Sequence, residues 1–117
     1  MANEIKEIQV IYQGLHGLET TEAMKEYVQK KVEELSKHSQ KISDVTFSFS
    51  CRDTDKPSER MKVRVRLNLM GRYFSNFNAK AKAADMYAAI DTVVAILERK
   101  LRRRKRILSV FRKKKEI

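Results

Sequence analysis

ISDVTFSFSCRDTDKPSERMKVRVRLNL, residues 42–69, holds two runs in which apolar and polar side chains alternate. In the first, Val45, Phe47, Phe49 and Cys51 alternate with Thr46, Ser48, Ser50 and Arg52. In the second, Met61, Val63, Val65, Leu67 and Leu69 alternate with Lys62, Arg64, Arg66 and Asn68. Successive side chains of a strand point to opposite faces, so a period of two predicts two strands, each with one apolar face. The Asp, Pro and Ser content of DTDKPSE, residues 53–59, makes the connection between them a turn. The pair is therefore an antiparallel hairpin, and Cys51 on its apolar side reads as a small buried hydrophobe.

The flanks extend this pattern in both directions. Gly71 marks another tight turn, and residues 72–81 read as a further strand whose end is blurred by Ala79 and Ala81. Upstream, residues 5–13 set Ile8, Val10 and Tyr12 against Gln9, Ile11 and Gln13, again with period two. Between that strand and the hairpin the period changes. Thr21 is an N-cap, Glu22 sits in the first turn, and Met24, Tyr27, Val28, Val32 and Leu35 recur at helical spacing. Lys25, Lys30, Glu33 and Lys37 occupy the opposite side, giving an amphipathic helix over 22–37. Asp85 caps a last long helix with Met86, Ile90, Val93, Val94, Leu97 and Leu101 as its buried stripe; Ala88 and Ala89 permit close helix-to-sheet packing.

The order is β-α-β-β-β-α. It specifies an α+β two-layer sandwich, a four-stranded mixed sheet with both helices on one face. The right-handed crossover through the first helix makes the first two strands parallel, and the later pairs are antiparallel. The other sheet face, with Thr46, Ser48, Arg64, Arg66, Asn76 and Asn78, stays open. At 117 residues, with 42% hydrophobic and 35% charged, the chain is a single globular domain, over residues 1–105, followed by a basic tail, 106–117.

No apolar run approaches the 18 or so residues a membrane-spanning helix needs. The N-terminus MANEIKEIQV lacks the basic and apolar regions of a secretory signal. Cys51 is the only cysteine, so no intrachain disulfide forms. Both facts fit a cytoplasmic protein. Catalytic chemistry is hard to find. His16, His38 and Cys51 are the only imidazoles and thiol, too few for a structural zinc site, and His38 follows Lys37 at a helix end, where it interacts with the helix dipole. No phosphate-cradling glycine loop or nucleophile elbow is present. Asp85 and Asp91 are six residues apart on one helix, which separates them, and Asp85 already has a capping role. The sequence points to a non-enzyme without a cofactor.

Charge is the remaining signal. The formal net charge is +11; residues 1–97 hold 15 basic against 13 acidic side chains, residues 98–117 hold 11 against 2. Arg99, Arg102, Arg103 and Arg106 fall on one helical stripe, and Lys100 and Arg104 on a second. From Arg102 through Arg103, Arg104 and Lys105 to Arg106 every residue is basic, so charge encircles the helix beyond Leu101. A solvated face explains most charge runs. It explains this one poorly, because like charges at i, i+4 destabilise a helix by a few tenths of a kcal/mol each. A phosphate backbone reverses that sign, so RNA or DNA is the predicted partner.

The run DMYAAIDTVVAILERKLRRRK, from Asp85, resembles the end of ribosome hibernation promoting factors and the related ribosome-associated inhibitor, whose signature reads D-M-Y-x-A-I-D before a leucine-bearing basic helix. TEAMKEYVQKKVEELSKH, 21–38, and ISDVTFSFS, 42–50, resemble the same family's Thr-initiated helix and first long inner strand. The resemblance spans about residues 8–105. It implies the β-α-β-β-β-α fold, similar in layout to double-stranded-RNA-binding domains. It also implies binding to the small ribosomal subunit in the channel for mRNA and the A- and P-site tRNAs, in competition with both, which silences translation in stationary phase or stress. Small-subunit rRNA would be gripped by Lys25, Lys30, Lys31, Arg99, Lys100, Arg102, Arg103 and Arg104, with Lys105 and Arg106 continuing the run. Asp85 reads as a cap and Met86 and Ile90 as core, whereas Tyr87, if outward, would stack on a base or bond a phosphate.

The sequence departs from that family in two places. The loop from Gly14 to Thr21 is about one residue longer, which affects any contact of His16, and ILSVFRKKKEI from Ile107 is neither the linker and dimerising domain of the long forms nor the acidic-leaning tail of the inhibitor. The implied form is a single-domain monomer. Two rival readings stand beside it. One is a generic structured-RNA binder with a double-stranded-RNA-binding-domain-like fold. The other is a membrane-docking tail, which the four apolar residues Ile107, Leu108, Val110 and Phe111 would anchor weakly.

Overall fold

A computed structural model describes residues 8–15, 18–37, 42–52, 54–70 and 75–115, with position 75 and positions 105–115 described by their backbone alone. The elements are β1 (Gln9–Gly14), α1 (Glu22–Ser36), β2 (Ile42–Cys51), a single 3-10 turn (Pro57–Glu59), β3 (Met61–Leu69), β4 (Ser75–Ala83) and α2 (Met86–Lys115). The sheet order is β1-β2-β3-β4. β1 runs parallel to β2, with Val10 beside Val45 and Tyr12 beside Phe47. β2–β3 and β3–β4 are antiparallel, and among the described residues the only irregularity in the two ladders lies between Ile42 and Asp44. This is the predicted two-layer α+β sandwich.

Local chemistry sets the helix starts. The Thr21 hydroxyl accepts from the Met24 N–H at 3.2 Å, and the Asp85 carboxylate accepts from the Ala88 N–H at 3.2 Å. Each side chain satisfies a donor that the first helical turn leaves without a partner. One apolar stripe of each helix then covers the sheet. Val28, Val32 and Leu35 of α1, and Ala89, Ile90, Val93, Val94 and Leu97 of α2, pack with Val45, Phe47, Phe49, Val63, Val65 and Leu67 in one core cluster. Phe47 and Phe49 stack at 6.1 Å between ring centroids.

Three expectations change. Cys51 is exposed. It is the last residue of β2, one inward position beyond the fully buried Phe49; its cross-strand partner Met61 is itself only half-buried, whereas Val63 opposite Phe49 is fully covered. Ala88 is exposed as well, and Ala89 alone is the small residue under α2. The last strand continues past position 81 to Ala83, which pairs with Met61. Ala79 and Ala81 are buried on its inner side, and such short side chains let α2 lie close over the strand. Residues 5–7 and 72–74 of the predicted strands, together with His16, Gly17, His38 and Gly71, lie outside the described residues.

Candidate nucleic-acid interface

The two helices lie side by side and are joined by a polar network. Tyr27 of α1 donates its phenol hydrogen to the Asp91 carboxylate of α2. The Lys31 ammonium stands 3.2 Å from the same carboxylate and 3.8 Å from Glu34. Tyr87 of α2 meets Tyr27 edge to face, 5.1 Å between centroids with planes at 87°. The carboxylate of Asp91 holds the Lys31 ammonium and the Tyr27 phenol above their ordinary pKa values, chiefly through the hydrogen bonds it accepts. Tyr87 is therefore half-buried between the helices rather than projecting from them. Asp91 is an ion-pair partner and Asp85 a cap, so the two do not form a carboxylate pair.

The predicted site residues sort into three groups. Lys31 faces α2. Lys25 lies on the opposite flank of α1, 3.7 Å from Glu22, with its ammonium 5.7 Å from the Tyr12 ring. There the Tyr12 hydroxyl donates to the Lys25 carbonyl at 3.3 Å and accepts from the Gln29 amide at 3.0 Å; burial raises the Tyr12 pKa. Lys100 and Arg104 form the second group, on the β4 side of α2. The Lys100 ammonium donates to the Asn78 carbonyl at 2.6 Å, and the Arg104 guanidinium lies 5.9 Å over the Phe77 ring. Packing of α2 onto β4 thus extends about one turn beyond the buried Leu101, so the basic residues do not encircle a free helix at that point.

The third group is the outward face. Lys30, Arg99 and Arg103 are exposed without an ion pair among the described residues, and Arg102, also exposed, stands 3.6 Å from Glu98 one turn earlier. These are the outward-facing cations of the two helices. The helix continues through positions 105 and 106, but the side chains of Lys105 and Arg106 lie outside the described residues.

The pairing of β3 with β4 reveals basic residues that the linear sequence did not single out as a site. On the face away from the helices, Lys62 stands opposite Lys82 and Arg64 opposite Lys80. Arg64 and Arg66 were legible as residues of an open face; the pairing of Arg64 with Lys80 and of Lys62 with Lys82 was not. A groove of about 670 Å³ passes round the free edge of β4, from Arg64, Arg66 and Lys80 to Ile96 and Lys100 of α2. Among the described residues no three His, Cys, Asp or Glu side chains gather as a metal site, and no helix is long and apolar enough to cross a membrane.

Residues 10–109 match the family model described as Sigma 54 modulation protein / S30EA ribosomal protein. A Deinococcus radiodurans protein named ribosome hibernation promotion factor is 38% identical over 87 residues, covering 74% of this chain and 44% of that protein. An Azotobacter vinelandii protein named ribosome hibernation promoting factor is 30% identical over 86 residues, covering 74% of this chain and 73% of the relative. The chain thus spans less than half the length of the Deinococcus relative. Among solved structures, a ribosomal subunit interface protein from Coxiella burnetii superposes with a TM-score of 0.66 at 24% identity, covering 84% of this chain and 98% of that one. The N-terminal domain of Thermus thermophilus Protein Y superposes with a TM-score of 0.65 at 26% identity, covering 82% and 96%.

Proposed function

The chain belongs to the Sigma 54 modulation protein / S30EA ribosomal protein family, and from that premise we propose that it is a ribosome hibernation factor acting in the cytoplasm. In this reading it binds the small ribosomal subunit in the channel that carries mRNA and the A- and P-site tRNAs. It inhibits translation by occupying that space and has no enzymatic activity.

The observation that carries the proposal is the paired helix surface. Lys30 on α1 and Arg99, Arg102 and Arg103 on α2 are exposed, and the Tyr27–Asp91–Lys31 network ties the two helices together. Exposed cations on a fixed scaffold suit the phosphates of a folded RNA, because contact replaces like-charge repulsion with attraction and releases counterions. The names of the two relatives support the ribosome as the RNA in question. Occlusion rather than RNA cleavage is the reading that fits relatives named for ribosome hibernation.

Co-sedimentation with purified small subunits tests this reading. The protein should pellet with vacant subunits, and prebound mRNA and tRNA should displace it. Pelleting that ignores both ligands would contradict channel occupancy, and equal affinity for unrelated structured RNA would leave the generic RNA-binding alternative.

A further inference from the structure

The sheet face opposite the helices carries a cationic ladder with no balancing charge in its rungs. Lys62 faces Lys82 and Arg64 faces Lys80 across β3–β4; on the β2 side the same residues face Ser50 and Ser48. Arg66 continues the row, between Thr46 and Asn78. Arg52, just past the end of β2, reaches Glu59 only at 4.0 Å, and its Nη1 is buried without a hydrogen-bond partner. Asp44, at the far end of the face, takes a hydrogen bond from Asn68 at 2.8 Å. Burial, followed by the fields of Arg64, Lys80, Lys82 and Arg52, depresses the Lys62 pKa.

Like charges directly opposed on a sheet are destabilising. Lysines on an edge strand guard against unwanted strand pairing, and that accounts for Lys80 and Lys82 on β4. It does not account for Lys62, Arg64 and Arg66, because β3 is an interior strand with both edges paired. Cations at alternate positions of a strand are spaced at roughly 7 Å, a repeat that an extended phosphodiester chain can follow. The groove round the β4 edge links this ladder to Lys100 and so to the basic side of α2.

We propose that the β3–β4 face is a second RNA-backbone site, taking the phosphates of an RNA segment other than the one held by the helices. Lys62, Lys80 and Lys82 act as point charges, and Arg64 and Arg66 offer paired N–H donors to phosphate oxygens. The domain is then held by RNA on both layers, as a wedge in a cleft rather than a plate on a surface. This goes beyond the proposed function: it needs RNA as the ligand, but not the ribosome.

The test uses a fluorescein-labelled 12-nucleotide oligouridylate, titrated against the full chain at several salt concentrations. The wild type should bind two oligonucleotides. K62Q/R64Q/K80Q/K82Q should bind one, and the log–log salt slope of the overall constant, taken over all oligonucleotides bound, should be shallower by about 3, at roughly 0.7 per lost single-strand contact. R99Q/R102Q/R103Q should also drop to one, retaining the sheet site. A ladder variant that keeps two sites and an unchanged slope would overturn the proposal. The unmutated protein gives a check that does not depend on variant folding. Saturating oligouridylate should slow acetylation of Lys62, Lys80 and Lys82 several-fold, and unchanged reactivity of all three would likewise overturn it. No ribosome enters these assays. Failure to pellet with subunits while the lysines stay protected contradicts the proposed function alone. Unprotected lysines with normal pelleting contradict this inference alone.

Discussion

The Tyr27 phenol donates to the Asp91 carboxylate across 64 residues of sequence, and this bond, with Lys31 3.2 Å from the same carboxylate, joins α1 to α2. Apolar packing against the sheet limits how far each helix can move away. The buried stripes also set the roll of each helix on the sheet, and so which cations face outward; the polar network joins the two helices at the surface.

Asp91→Asn removes the charge while keeping a similar helix propensity. The side chains of Lys31 and Asp91 are partly exposed, so the loss should be modest, about 0.5–1 kcal/mol in urea unfolding at pH 7. Its pH dependence is more diagnostic. The folded-state pKa values of Lys31 and Tyr27 are raised. Their contribution is therefore complete below the unfolded values near pH 10 and is lost as pH rises through the folded ones. Wild-type stability should fall above about pH 10, and the variant should fall less steeply over the same window. Parallel pH curves would show that the network contributes nothing.

Lys100 and Arg99 are neighbours with different duties. Lys100→Ala removes the hydrogen bond to the Asn78 carbonyl and the packing of the lysine stem, and should cost about 1 kcal/mol of stability as well as weakening RNA binding. Arg99→Ala and Arg103→Ala, at exposed positions, should leave stability within about 0.5 kcal/mol and weaken binding alone. Thermal melts beside subunit titrations separate the two effects.

Gly14 ends β1 where the chain turns back on itself. A Cβ there would collide with the Leu18 carbonyl oxygen and crowd its carbonyl carbon at 3.0 Å. Both atoms are backbone and cannot rotate away. Gly14→Ala should cost about 1–3 kcal/mol and lower the melting temperature by at least about 4 °C. An unchanged melting temperature would show that the loop yields.

Binding to subunits should weaken steeply with salt. If about six to eight phosphates are neutralised, log affinity against log salt should have a slope of roughly −5 to −7. A slope near zero in a direct titration would exclude a phosphate grip.

Most of the fold was legible because its signals are local. Alternation of Val45, Phe47 and Phe49, helical recurrence of Met24, Val28, Val32 and Leu35, and the caps Thr21 and Asp85 each lie within a few residues of the element they specify. The site was less legible because its decisive facts join distant positions. That Lys62 opposes Lys82 depends on strand register, and that Asp91 takes up Lys31 depends on helix packing. Nor does sequence separate Lys100 and Arg104, whose stems lie along β4, from Arg99 and Arg103, which point outward: long cationic side chains can serve either role. Cys51 kept the alternation but outran the cover that the helices give β2.

That same exposed thiol, the only cysteine in the chain, allows the most direct test of channel occupancy. An iron chelate attached at Cys51 generates hydroxyl radicals that cut nearby RNA in subunits to which the protein is bound. The account predicts cleavage of small-subunit rRNA confined to the walls of the mRNA and tRNA channel and abolished by prebound tRNA and mRNA. Cuts on the outer surface of the subunit, or cuts that persist when the channel is filled, would contradict it.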